Sequence, residues 1–198
     1  MENQSRTEII CILDKSGSMQ TLQSETIAGL NQFIKEQKQE EGQCNFTLVQ
    51  FNQDVVLKIK RQPIREVTPL NTASYQPSGY TALLDAVGQT LKAAMETVFM
   101  LPVNENPDNV LVFIITDGME NASRHYTKEQ ISKMVVDLTV NKGWEFQFFG
   151  ANVDAFGEAQ NIGISADKAD AWDYNRDGMK DMMNKMSMKS SEYRKRGY

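Results

Sequence analysis

The chain has 198 residues, about the length of one domain. Its 21 Lys and Arg stand against 26 Asp and Glu, a net charge of −5, with 40% hydrophobic and 24% charged residues. This ordinary globular composition excludes disordered, collagen-like and disulfide-scaffold chains, and it argues against a surface given over to nucleic acid. Neither end carries the roughly 18 apolar residues of a membrane helix, and the N-terminal MENQSRTEIICIL has no secretory pattern, so a cytoplasmic location is expected. Cys11 and Cys44 sit in apolar surroundings without metal-ligand spacing and read as reduced core residues. His125 is the only histidine, which excludes a His-rich metal site.

The run Ile9 to Leu13 is continuously apolar and rich in β-branched residues, as a strand buried on both faces must be. Ile27, Leu30, Phe33 and Ile34 follow at helical spacing, and Cys44 to Phe51 reads as a second strand. Asn52-Gln53-Asp54 is turn chemistry, and Val55 to Lys60 alternates apolar with lysine, so these two runs form a hairpin with an exposed edge. Residues 61–80 hold three of the five prolines and read as a long loop. A helix follows with Leu84, Val87, Leu91, Ala94 and Val98 on one stripe. Val110 to Ile115 is another central strand, stopped by Asp117-Gly118. Thr127 to Leu138 is a helix ended by Asn141-Lys142-Gly143, and Trp144 to Phe149 a further strand.

This order predicts an α/β fold, Rossmann-like and doubly wound, with a mostly parallel sheet, one antiparallel edge strand and helices on both faces. No repeat or low-complexity linker divides it, so residues 1–198 are expected to form one domain. Residues 174–198, a Met-rich helix and basic tail, are expected to pack on it or extend from it. In such sheets ligands bind beyond the carboxyl ends of the strands, where strand order reverses.

Polar residues gather at those strand ends. Asp14-Lys15-Ser16-Gly17-Ser18 follows the first buried strand, a DxSxS pattern; Thr116-Asp117-Gly118 follows another; and Thr81, after Ser78-Gly79-Tyr80, opens the intervening helix. Three loops thus direct Asp14, Ser16, Ser18, Thr81 and Asp117 to one sheet edge. Such an all-oxygen set suits a hard cation, magnesium or manganese, or calcium in a looser cage. Because the hydroxyls are neutral, a cation held there keeps much of its charge and favours an anionic oxygen from outside.

The constellation resembles the metal-ion-dependent adhesion site (MIDAS) of the von Willebrand factor type A family, over about residues 7 to 160, with all five positions filled. The resemblance implies that Ser16, Ser18 and Thr81 bind the cation directly or through water, while Asp14 and Asp117 act largely through water or as outer acceptors. It implies a stand-alone, intracellular, prokaryotic-looking adaptor, not an enzyme, that docks a protein partner's Asp or Glu on magnesium, often alongside ATPases. The runner-up is a metal-dependent hydrolase or phosphotransferase using Asp14, Asp117 and Glu120, and a third reading is a vestigial site. Glu120, Asn121, His125, Asn152 and Asp154 are candidates for tuning the site.

Other signals are weaker. Asp173-Tyr174-Asn175-Arg176-Asp177-Gly178 matches the first half of an EF-hand loop, but Lys180 stands where an apolar residue belongs and Asn184 where a bidentate Glu is needed, so a helix-capping turn is expected. There is no GxxxxGK[ST] around Lys15 and no GxSxG elbow. Met179, Met182, Met183 and Met186 are expected to pack a last helix on the sheet, with Met188 off that stripe. Residues 179–198 carry six Lys or Arg against two acids, leaving 15 against 24 in the body.

Overall fold

The computed structural model describes residues 5–151 and 154–195. Its centre is a six-stranded sheet built from β1 (Arg6–Asp14), β2 (Gln43–Phe51), β3 (Val55–Pro63), β4 (Asn109–Thr116), β5 (Glu145–Gly150) and β6 (Ala169–Ala171), in the order β3-β2-β1-β4-β5-β6. Every pairing is parallel except β2 with β3. The expected mostly parallel α/β sheet with one antiparallel edge strand is therefore what forms. Val55 to Lys60 is indeed the second arm of a hairpin, though the strand runs on to Pro63 into the expected loop. The β2–β3 ladder shifts register at Phe46/Leu48 and Leu48/Val49, and Arg61 adopts φ +42, in the left-handed region. β6 is only three residues long, Ala-Asp-Ala, with no β-branched or aromatic side chain, which is why the sequence does not announce it.

Among the described residues five α-helices cover the sheet: α1 (Gln23–Gln37), α2 (Leu83–Phe99), α3 (Lys128–Lys142), α4 (Ala155–Asn161) and α5 (Arg176–Lys195). The α1/α5 face buries Ile9, Cys11 and Leu13 of β1 beneath Phe33, Met179 and Met183. Phe113 meets Phe33 and Phe149 at centroid distances of 6.3 and 6.1 Å. The opposite face packs Ile10 and Ile12 against Leu83, Val87 and Leu91 of α2 and Ile131 and Val135 of α3. Alternate residues of one strand thus serve two cores, which is why β1 reads as an unbroken apolar run. α3 begins with a capping box between Thr127 and Gln130 and ends at Gly143, φ +67, where a left-handed residue closes the helix. Cys11 and Cys44 are free and buried, and burial pushes both thiols up to about 12.

The methionines Met179, Met182, Met183 and Met186 of α5 are buried, while Met188 is exposed. α5 is fastened to the end of α1 by Arg194, which is 3% exposed. Its Nη1 donates to Gln37 O at 2.7 Å and its Nη2 to Glu41 O at 2.8 Å, with Glu40 O and Gly42 O each at 3.3 Å. A guanidinium is suited to several carbonyls at a helix C-terminus because its planar fork presents donors in fixed directions. Replacing Arg194 with Ala is expected to lower the unfolding free energy by about 2 to 4 kcal/mol in urea titration, and Arg194→Lys to recover less than half, because one ammonium cannot reach the same carbonyls.

Candidate metal centre

Strand order reverses between β1 and β4, since β1 leads to β2 on one side and β4 lies on the other. The polar loops meet beyond the carboxyl ends of these two strands. Asp14 closes β1, fully buried; its Oδ1 accepts the Ser16 backbone N–H at 2.7 Å and its Oδ2 accepts the Thr116 hydroxyl at 2.6 Å. The buried Tyr75 hydroxyl donates to the Asp14 backbone carbonyl at 2.7 Å. The carboxylate therefore joins the first loop to the end of β4. Ser16 Oγ and Ser18 Oγ lie 3.0 Å apart, and Ser18 Oγ donates to Asp117 Oδ1 at 2.8 Å.

The Thr81 loop is laced to the first. Gly17 N donates to Gly79 O at 3.0 Å and Ser78 N to Lys15 O at 2.8 Å. Gly79 has φ +78, and a Cβ there would stand 1.9 Å from Gln53 Oε1, so this turn needs glycine. Thr81 N donates to Asn121 Oδ1 at 2.9 Å and Asn121 N to Thr81 O at 3.0 Å. Gly118 leaves a small hollow, because a Cβ on it would lie 3.3 Å from Thr81 Oγ1 and 3.9 Å from Ser18 Oγ. All five residues marked by the sequence thus line one neighbourhood, with Asp14, Ser16, Thr81 and Asp117 buried and Ser18 exposed.

The donor set fits a hard cation. Asp117 Oδ2 is buried without a hydrogen-bond partner, a costly state for a carboxylate oxygen unless a proton or cation meets it. Burial pushes the Asp14 carboxyl up to about 6, against the Thr116 and Ser16 hydrogen bonds that pull it down. Burial raises Asp117 too, opposed by its bond from Ser18. Among the described residues no three His, Cys, Asp or Glu side chains gather to hold a metal. The cluster instead combines two carboxylates with three hydroxyls.

The residues considered for tuning have other partners. Glu120 accepts the backbone N–H of Leu84, Ala122 and Ser123 and the Ser123 hydroxyl, at 2.7 to 3.0 Å, so it caps α2 and shapes its own loop. Asp154 caps α4 through Gly157 N at 3.0 Å, and Asn152 lies outside the described residues. His125 is exposed, and its backbone N–H, with those of Arg124 and Tyr126, binds the buried Asp85. The sequence reading missed Tyr75, Thr116 and Asp85. Tyr75 sits in a segment without periodicity and carries no local signal, whereas Thr116 directly precedes Asp117 at the strand end. Tyr174 of the EF-hand-like segment donates its hydroxyl to Ser18 O, and Asn175 Oδ1 accepts Gly178 N at 2.8 Å, so that segment is a helix-capping turn beside the cluster.

Without a cation, an Asp14 carboxyl that binds its proton more tightly in the folded than in the unfolded chain stabilises the fold most below about pH 4. That contribution is lost as pH rises through about 6. Asp14→Asn keeps an acceptor for Ser16 N and offers an amide donor to Thr116. In chelator, chemical denaturation from pH 4 to 7 is therefore expected to show the D14N variant gaining stability relative to the parent as pH rises, by on the order of 2 kcal/mol.

No family model matches the sequence, and no curated protein matches it. Solved structures do. The chain is similar to a von Willebrand factor type A protein from Catenulispora acidiphila, with a TM-score of 0.60 and 16% identity over 95% of this chain and 43% of that one. It is similar to proximal thread matrix protein 1 of the mussel byssus with a zinc-occupied MIDAS motif, with a TM-score of 0.63 and 16% identity over 93% of this chain and 48% of that one. Manganese-loaded TRAP protein from Plasmodium vivax gives a TM-score of 0.60 and 14% identity over 90% of this chain and 72% of that one. The chain spans about half the length of the first two. At these identities the likeness is one of architecture: the chain has the Rossmann-like α/β fold of von Willebrand factor type A domains.

Proposed function

We propose that the chain binds one divalent cation, magnesium in the cell, through Asp14, Ser16, Ser18, Thr81 and Asp117, and uses it to dock a protein partner through that partner's Asp or Glu. The observation that carries this reading is the buried, unpartnered Asp117 Oδ2 beside a cluster of hydroxyls that opens to solvent at Ser18. A bound cation would supply a Lewis-acid position for an external carboxylate oxygen. The chain's own part is to hold the ligands in register: Asp14 ties the first loop to β4, and Asn121 fixes the Thr81 backbone. The metals named with two of the similar structures, zinc and manganese, support a divalent ion in general.

The role is that of an adaptor in a multiprotein assembly, one that includes an ATPase, and it is not enzymatic. The hydrolase reading needed Glu120 as a third active carboxylate, yet both Glu120 oxygens are committed to backbone and hydroxyl donors. No helix among the described residues is long and apolar enough to cross a membrane, which accords with a cytoplasmic role without requiring one.

Affinity capture from native extract, with and without EDTA, tests the reading. Capture of a defined partner is expected in magnesium and not in EDTA, and Ser16→Ala is expected to weaken it at least tenfold with an unchanged Tm in chelator. Metal-dependent turnover of a generic phosphoester by the purified chain would overturn the non-enzymatic assignment. Calorimetry showing no magnesium or manganese binding at millimolar concentration would overturn the cation itself.

A further inference from the structure

We propose that the chain carries a second ligand site, under α2 and away from the polar cluster, that takes a small aliphatic carboxylic acid bearing a hydrogen-bonding oxygen at its far end. The site is a cavity of about 220 Å³ between α2 and the β1–β2–β3 part of the sheet. An apolar cavity of about 150 Å³ accommodates benzene, so this one has room for a chain of several carbons. Buried Ile10 and Val49 line it on the sheet side with the exposed Leu57 beside them, and α2 contributes small side chains at helical spacing, Thr90, Ala93, Ala94 and Thr97. These leave a gap that larger residues would close.

Three observations mark it as more than a packing defect. First, Thr90 is 6% exposed and its Oγ1 is buried with no hydrogen-bond partner, although a helical threonine readily bonds the carbonyl one turn back. A ligand oxygen in the slot would satisfy it. Second, the opposite end is charged. Buried Glu8 accepts from Asn45 Nδ2 and Arg61 Nε, each at 2.8 Å, so one guanidinium nitrogen is spent on Glu8. Arg61 Nη1 and the exposed Lys60 ammonium have no carboxylate partner among the described residues, and both side chains line the cavity. Third, Arg61 holds φ +42, an uncommon backbone for a side chain of its size, with its N–H bonded to Thr47 Oγ1 at 3.1 Å. The strained residue is the one that brings the guanidinium to the cavity mouth.

The two polar ends are spaced for one ligand. α2 starts where Ala82 N bonds Asn52 O beyond β2 and runs back along the sheet, so Thr90 lies nearer the carboxyl ends of the strands. Glu8, paired with Val110 at the start of β4, lies at the amino end beside Thr97 and Val98. Seven helical residues from Thr90 to Thr97 cover about 10 Å, the span of an extended chain of roughly seven carbons between a carboxylate and a terminal hydroxyl. The carboxylate faces Lys60 and Arg61, and the far oxygen meets Thr90.

Amide and methyl NMR of the full chain, titrated with ω-hydroxyheptanoate, heptanoate and heptan-1-ol, tests the assignment. The hydroxy acid is expected to cause saturable shifts at Leu57, Thr90 and Ala94 while leaving Ser16 and Thr81 unmoved, and to bind more tightly than either control. Thr90→Val is expected to weaken the hydroxy acid about fivefold to tenfold and leave heptanoate unchanged, the effect of one lost hydrogen bond. Lys60→Gln, an exposed change with little risk to folding, is expected to weaken both acids and not the alcohol. The proposal is overturned by the absence of saturable shifts with any probe at about 10 mM, or by alcohol binding as tightly as the acids. Hydroxy-acid affinity unchanged in both variants also overturns it.

Discussion

The structure turns on one desolvated carboxylate. Asp14 sits fully buried at the point where strand order reverses, and each of its oxygens answers a different segment: Oδ1 the following turn at Ser16, Oδ2 the end of β4 at Thr116. Its carbonyl adds a third, the loop bearing Tyr75. An ionised carboxyl in such a place is stable only with compensating hydrogen bonds and a nearby positive charge, or else as the neutral acid. The bonds are present and the proton is held more tightly than usual. The loops are therefore shaped around an acid whose charge state depends on what stands in front of it, and a cation is the partner that its neighbours, two serines, a threonine and Asp117, are chemically suited to share.

Other acids near the same edge serve the backbone. Glu120 gathers the amides of Leu84, Ala122 and Ser123, and Asp85 gathers those of Arg124, His125 and Tyr126. These carboxylates hold the loop that fixes Thr81 through Asn121, so they act on the candidate site by positioning. The negative balance of the body thus has two sources at this edge, acids that organise loops and acids placed to meet a cation. The hydrogen-bond partners separate them: the motif already set Asp117 among the metal positions and left Glu120 a tuning candidate, and the structure commits both Glu120 oxygens to backbone and hydroxyl donors.

At the other end of the chain the basic helix α5 is structural for most of its length. Its methionines fill the gap over the sheet, and Arg194 closes the end of α1. A charged residue in the last turn of an amphipathic helix reads as solvated, and here it is buried because four carbonyls converge on it. The cavity under α2 is likewise invisible in a stripe of Thr and Ala, which reads as ordinary helix surface.

What the sequence determined by itself was the material with strong local periodicity. Doubly buried strands need continuous apolar runs, so β1 and β4 were legible to within a few residues, and the hairpin followed from Asn52-Gln53-Asp54. The five site residues were legible because each lies within a few residues of a strand's carboxyl end or a helix's start, where topology alone brings loops together. Tertiary structure decided the rest. β6 exists only because β5 offers it an edge, Tyr75 matters only because a loop folds it beneath Asp14, and Arg61 and Thr90 meet one cavity only because α2 runs back across β1 and β2. Long-range placement sets which polar atoms are buried and what they face, and no local pattern encodes that.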